Sequence, residues 1–93
     1  MGYFPFFAEI SGKRVLIVGN GPVANRKRNA LLPFGAEVTV LDRPFAPGDL
    51  EGADLVIAAT DDRPLNRAIC RQCRERGIPV NSATSRTDST FLF

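Results

Sequence analysis

Gly19, Gly21 and Ala24 stand in the spacing G-x-G-x-x-A, and their neighbours show what that spacing can do. The run Val15-Leu-Ile-Val18 before them is unbroken apolar sequence, and Pro22 follows the second glycine. A strand that enters a glycine turn and leaves as a helix is the arrangement that holds the diphosphate of a dinucleotide. Gly19 can take backbone angles closed to residues with a Cβ, and Gly21 removes a side chain where a diphosphate must approach. The helix beyond offers free N–H groups and a partial positive charge to that anion. Ala24 is small enough for helix to pack on strand. The turn residues Gly19, Asn20 and Gly21 are therefore the first candidates for cofactor contact. Asp42 comes about twenty residues later, at the end of the next apolar run, where an acid accepts hydrogen bonds from both hydroxyls of an adenosine ribose. It would repel a 2′-phosphate, which favours NAD over NADP. The adjacent Arg43 works against that preference, because a guanidinium can bind such a phosphate. Thr60, at the end of a third apolar run, is placed to contact the nicotinamide ribose. Asp61 and Asp62 are open to two roles, contact with a ligand at this crevice or capping of the helix that follows, and capping is at least as well founded for each.

The elements that must position these residues can be read in order. Residues 14–18 predict a buried parallel strand, because apolar sequence without alternation fits a strand covered on both faces. Residues 22 to about 32 predict a helix, with Pro22 at its first position. Val23, Ala24, Lys27, Ala30 and Leu31 share one face at helical spacing. Pro33 and Gly35 close it. Residues 36–41 predict the second strand, and 43–52 a loop with at most one helical turn, given Pro44, Pro47, Gly48 and Gly52. Residues 53–59 predict the third strand. Residues 64 to about 76 predict a helix with Leu65, Ala68, Ile69, Gln72 and Cys73 on one side, ended by Gly77. Residues 78–82 predict the fourth strand, 83–90 a polar loop, and Phe91-Leu92-Phe93 a strand-like stub. Strands alternating with helices imply right-handed crossovers and a parallel sheet. The expected fold is α/β: a Rossmann-like parallel sheet of about four strands with helices on its faces.

Ninety-three residues make one small domain, taken as 1–93. With 44% apolar and 24% charged residues the chain is globular rather than disordered. A net charge of +2, spread over helices and loops, gives no reason to expect nucleic acid. No apolar run approaches the ~18 residues of a membrane helix. The aromatic start, with Pro5 and Glu9, lacks the basic opening of a signal peptide, so a cytoplasmic setting is expected. Cys70 and Cys73 form a single C-x-x-C without any histidine in the chain. That excludes a four-ligand zinc site from cysteine and histidine alone, and free thiols in a helix are expected. Arg26, Lys27 and Arg28 read as a solvated helix face with Lys27 lying over apolar neighbours. Arg67, Arg71, Arg74 and Arg76 read as solvated charges.

Taken together, Tyr3-Phe-Pro-Phe-Phe7, Gly12 and Val15-Leu-Ile-Val-Gly-Asn-Gly-Pro-Val-Ala-Asn-Arg-Lys27 resemble the start of the precorrin-2 dehydrogenases. That family includes the N-terminal part of bifunctional siroheme synthase. Gly35-Ala-Glu-Val-Thr-Val40, Arg43-Pro-Phe45, Asp49-Leu50, Ala58-Ala-Thr-Asp-Asp62, Asn66 and Val80-Asn81 extend the resemblance over nearly the whole chain. It implies an NAD-dependent oxidoreductase that takes a hydride from precorrin-2, a tetrapyrrole, to give sirohydrochlorin. It also implies NAD contact by Pro22 and Val23, and by residues near Asp42 and Arg43. Many members of the family insert ferrous iron as well. Here any metal would rely on carboxylates, thiols or the substrate's own nitrogens.

The chain departs from the family pattern in three places. The family has a further strand and helix before the Arg-Pro-Phe segment, whereas Asp42 here runs straight into Arg43-Pro44-Phe45. The fold is therefore expected to be abridged by one strand. The family continues beyond this point with further regions, so the chain reads as truncated relative to it, or as ending in a strand that pairs with a partner. The family's catalytic aspartate, three residues after Asn81, is replaced by Thr84, which has no charge or pKa for general-base work. Asp88 is the only nearby acid, does not match that position, and reads as a solvated loop residue. No catalytic residue is assigned. A second reading follows: a catalytically impaired module that binds NAD or a tetrapyrrole for sensing or delivery. The second strand, left at the sheet edge, and the apolar stub leave a homodimer open.

Overall fold

A computed structural model describes residues 2–93. Four strands form one parallel sheet: β1 (Arg14–Val18), β2 (Glu37–Leu41), β3 (Leu55–Ala58) and β4 (Val80–Ser82). Their spatial order is β2-β1-β3-β4, with Val15 opposite both Val38 and Leu55, and Val56 opposite Val80. The chain thus reverses direction across the sheet between β1 and β3, the point at which such sheets bind ligands. Helix α1 (Pro22–Leu31) links β1 to β2 through a short 3₁₀ turn at Leu32–Phe34, and α2 (Arg63–Glu75) links β3 to β4. The β2–β3 connection holds only a second 3₁₀ turn, Pro47–Leu50. The expected four-stranded, abridged Rossmann-like sheet is observed, with β2 at its edge.

Both faces of the central strands β1 and β3 are covered, which explains their apolar sequences, whereas β2 alternates with Glu37 and Thr39 exposed. On one face Leu16, Val18, Leu41, Val56, Ala58 and Val80 pack with Leu50 and with Ile69, Cys70 and Cys73 of α2. On the other, Val15, Ile17 and Ile57 pack with Ala24, Ala36 and Ala59. The second cluster is built largely from alanines, and α1 contributes only Ala24 as a buried residue.

Several boundaries differ from the sequence reading. The third strand begins at Leu55, not Ala53, because Asp54 turns aside: its carboxylate accepts the Arg14 amide at 2.9 Å and its own amide donates to the Arg14 carbonyl at 2.8 Å. The fourth begins at Val80, because the Ile78 amide still donates back to Cys73 at the end of α2. Val23 and Ala30 lie exposed rather than on the buried face of α1. In α2 the buried set is Asn66, Ile69, Cys70 and Cys73. Phe91–Phe93 is not a strand: the Phe91 and Phe93 rings stack, and Lys27 lies over the Phe93 ring at 4.3 Å while donating to the Phe93 main-chain oxygen at 2.9 Å. Burial foremost, and Arg26 beside it, lower the Lys27 pKa. Among the described residues no helix is long and apolar enough to cross a membrane.

Candidate functional site

The carboxyl ends of β1, β2 and β3 meet at Gly19. Its amide donates to the Leu41 carbonyl at 3.3 Å, and the Ala59 amide donates to the Val18 carbonyl at 2.9 Å. Gly19 has φ +117°, and a Cβ there would stand 2.3 Å from the Ala59 carbonyl oxygen. Glycine is therefore required at this position by the protein's own packing.

Gly21 is different. It is the N-cap of α1 at φ −83° and ψ −170°, angles open to any residue, and a Cβ there would meet nothing within 4 Å. No side chain caps α1, and its first turn holds no acid. The first bond back to the cap runs from the Asn25 amide to the Gly21 carbonyl at 3.0 Å. The Val23 and Ala24 amides lie ahead of it, at the positive end of the helix dipole. Asn20, Gly21, Pro22 and Val23 are all exposed, and Ala24 beneath them is fully buried. The bend therefore faces open solvent, with amides at its mouth and room for an anion. These features fit the diphosphate of a dinucleotide.

Asp42 follows the last residue of β2 directly and is exposed, as a ribose-binding acid requires. Arg43 does not stand beside it as a free cation. Its Nη2 donates to Asp49 Oδ1 at 2.6 Å and its Nη1 to Asp49 Oδ2 at 3.2 Å. That hydrogen-bonded pair, foremost, raises the Arg43 pKa and lowers that of Asp49.

Thr60 is half-buried and tied into the fold. Its hydroxyl lies 2.7 Å from Asn66 Oδ1, and its amide donates to the same oxygen at 3.1 Å. Asn66 Nδ2 donates to the Thr60 carbonyl at 3.0 Å and to the Thr84 hydroxyl at 3.3 Å. Asn66 thus joins the end of β3, the first turn of α2 and the loop after β4. The sequence reading noted Asn66 only as part of a resemblance. A polar residue interrupting the apolar face of a helix, six positions after Thr60, was the signal available. Asp62 caps α2, accepting the Leu65 amide at 3.1 Å, as one of its two expected roles required.

Thr84 is half-buried, with its hydroxyl between Asn66 and Ser82 Oγ at 3.3 Å from each. Asp88 is not simply solvated. Its carboxylate stands 3.9 Å from Arg67 Nε and 4.0 Å from Arg74 Nη1, and Arg74 donates to its carbonyl at 2.8 Å. Arg67 and Arg74 are correspondingly not free charges, because the 83–90 loop folds back over α2. Cys70 and Cys73 are free and fully buried, and burial foremost raises both thiols, Cys73 to about 11. No group of three or more His, Cys, Asp or Glu able to hold a metal occurs among the described residues.

The model of a family described as NAD(P)-binding matches residues 6–46 and 41–93. The chain is 39% identical to the siroheme synthase of Azotobacter vinelandii, over all of this chain and 24% of that one. It is 38% identical to the siroheme synthase of Stutzerimonas stutzeri, with the same coverage. The chain therefore spans about a quarter of the length of these curated relatives. The alignment to the first runs over 113 positions, so about twenty have no counterpart among the 93 residues here. The family match breaks at 41–46, at the end of β2, where the edge of the sheet is bare. Among solved structures, "SirC, precorrin-2 dehydrogenase" superposes with a TM-score of 0.78 at 21% identity, over 98% of this chain and 54% of that one.

Proposed function

The chain belongs to the NAD(P)-binding family, and from that premise we propose that residues 1–93 form the NAD-binding domain of a precorrin-2 dehydrogenase-like, cytoplasmic protein of siroheme biosynthesis. One observation carries the reading: α1 begins without a side-chain cap, at a glycine whose missing Cβ leaves open space. The amides of Val23 and Ala24 hold the diphosphate, and Asn20, Gly21 and Pro22 line its approach. Asp42 accepts the adenosine ribose hydroxyls. Thr60, held by Asn66, shapes the end of β3 beside the bend, next to the second ribose. The exposed Arg26 and Arg28 give a positive approach for a substrate bearing many carboxylates. A bound NAD supplies the acceptor for the electron pair removed from precorrin-2.

The test is a titration of the full chain. NAD at a hundred times its Kd raises stability by about 2.7 kcal/mol, read as a higher melting temperature, with NADP weaker. No shift with either nucleotide overturns the reading. Precorrin-2 with NAD then yields sirohydrochlorin, followed by its absorbance.

A second reading is favoured by Thr84. Its hydroxyl is already bonded to Asn66 and Ser82, and the nearest acid, Asp88, is paired with arginines. With no acid at position 84, binding without turnover identifies a sensing or delivery module. Turnover gained by Thr84→Asp would establish that reading.

The bare edge of β2 also supports a homodimer. Glu37 donates to Lys13 and Leu41 accepts from Gly19, so the backbone groups of 37, 39 and 41 face β1. Those of Val38 and Val40 face outward. Antiparallel pairing with a second copy about Thr39 sets Val38 against Val40 twice, as hydrogen-bonded pairs. Sedimentation at rising concentration checks it, and a monomer throughout sinks it.

A further inference from the structure

Arg43 leaves the main chain two residues after Leu41, whose carbonyl accepts the Gly19 amide. It is therefore rooted beside the bend and next to the ribose-binding acid, where a guanidinium would meet a 2′-phosphate. Its head group is turned away onto the following loop. Two bonds go to the two oxygens of Asp49, and a third runs from Nη1 to the Pro44 carbonyl at 3.2 Å. Asp49 is itself fixed, accepting the Ala46 amide at 2.8 Å at the start of the Pro47–Leu50 turn. Its side chain is only 13% exposed, against 58% for Arg43. The anchored partner is thus the acid, and the arginine is drawn to it.

We infer that Asp49 sets the choice of dinucleotide by holding Arg43 away from the ribose 2′ position. The inference rests on the nucleotide site proposed above. With Nη1 and Nη2 committed to Asp49 and Pro44, the guanidinium is held on the loop and the Asp42 carboxylate is left beside the 2′ substituent. That arrangement accepts a hydroxyl and rejects a phosphate. Without the Asp49 charge, the same side chain swings to a phosphate dianion, which it can grip with two parallel N–H bonds. Asp49 is a positioning residue, acting only through Arg43.

The experiment is calorimetric titration of NAD and NADP into the wild type, Asp49→Asn, Asp49→Ser and the double variant Arg43→Ala/Asp49→Asn, each checked for folding by circular dichroism. Asparagine and serine both keep an acceptor for the Ala46 amide, so at least one is expected to fold. The expected result is an NADP-to-NAD affinity ratio raised about tenfold in either single variant, the worth of one charge-assisted pair. The double variant returns to the wild-type ratio. A merely structural role for Asp49 would weaken both nucleotides together and leave the ratio fixed. An unchanged ratio in a folded single variant, or a raised ratio that survives Arg43→Ala, overturns the inference while the nucleotide site stands. A wild type that binds neither nucleotide overturns both.

Discussion

Helices α1 and α2 begin at the same end of one parallel sheet, and they treat their first-turn amides in opposite ways. At α2 the Asp62 carboxylate accepts the Leu65 amide, and Asn66 ties the first turn to Thr60 and Thr84. At α1 no side chain reaches back, the first turn holds no acid, and the cap is a glycine with empty space around it. The helices differ in anchoring too. Helix α2 buries Ile69, Cys70 and Cys73, whereas α1 buries only Ala24. A buried isoleucine alone is worth about 1.5–3 kcal/mol, so the core holds α2 more strongly than α1. One end of the sheet is therefore closed by the protein's own groups beside β3, and left open for an anion beside β1. Under the proposed function, a bound diphosphate would supply the cap that the sequence omits.

The largest effect should come from the strand side of the open bend. Gly19→Ala sets a methyl group 2.3 Å from the Ala59 carbonyl oxygen and forces an L-residue to φ +117°. Strain and overpacking together cost about 4 kcal/mol. For a domain of this size the melting temperature falls by roughly 20 °C. Gly19 and Gly21 share a motif, yet only the first is required by the fold; a mild phenotype for Gly19→Ala would erase that distinction.

Next in size is the closed side. Asn66→Ala leaves the Thr60 amide and carbonyl without their partner inside a half-buried corner. The expected loss is about 2 kcal/mol, measured by urea denaturation. Because Asn66 spans β3, α2 and the 83–90 loop, amide exchange should quicken at Thr60 and Thr84 together. Exchange confined to one of them would mean that the three elements are not joined through this side chain.

Much of this contrast was legible in the sequence, for identifiable reasons. Apolar runs marked β1 and β3, glycine and proline marked the ends of α1, and Asp62 two residues before Pro64 announced a capped helix. The open bend was legible because Gly21-Pro22 can provide no cap. The position of Arg43 was not. A sequence shows that an arginine follows Asp42, but not that Asp49 comes round a 3₁₀ turn to meet it. The same limit applies to Asn66, whose partners lie across three elements. It applies to Asp88, which reads as a loop residue until the loop is seen folded on Arg67 and Arg74. Val23 and Ala30 lie exposed although they share a helical face with Ala24, because periodicity fixes which residues share a face but not how much of that face is covered.

Smaller again is the cap of α2. Asp62→Ala removes one bond and one favourable charge from the helix start, at a cost of about 1 kcal/mol. Nucleotide affinity should not change, since the capped end already satisfies its own donors. Coupled loss of stability and of NAD binding would show that the two helix ends are not independent.

The smallest change in stability gives the sharpest contrast. Gly21→Asp makes the start of α1 resemble that of α2. The backbone angles at Gly21 suit an aspartate, and its Cβ enters empty space. The new carboxylate can accept a first-turn amide and lies at the positive end of the helix dipole. The free protein should therefore gain about 0.5 kcal/mol, a rise of a few degrees in melting temperature. The same carboxylate occupies the place of the diphosphate and repels it, so NAD should no longer raise the melting temperature at all. Stability and binding would then move in opposite directions at one residue. A variant that loses both has merely been damaged, and one that keeps NAD binding shows that the amides of α1 are not where the diphosphate sits.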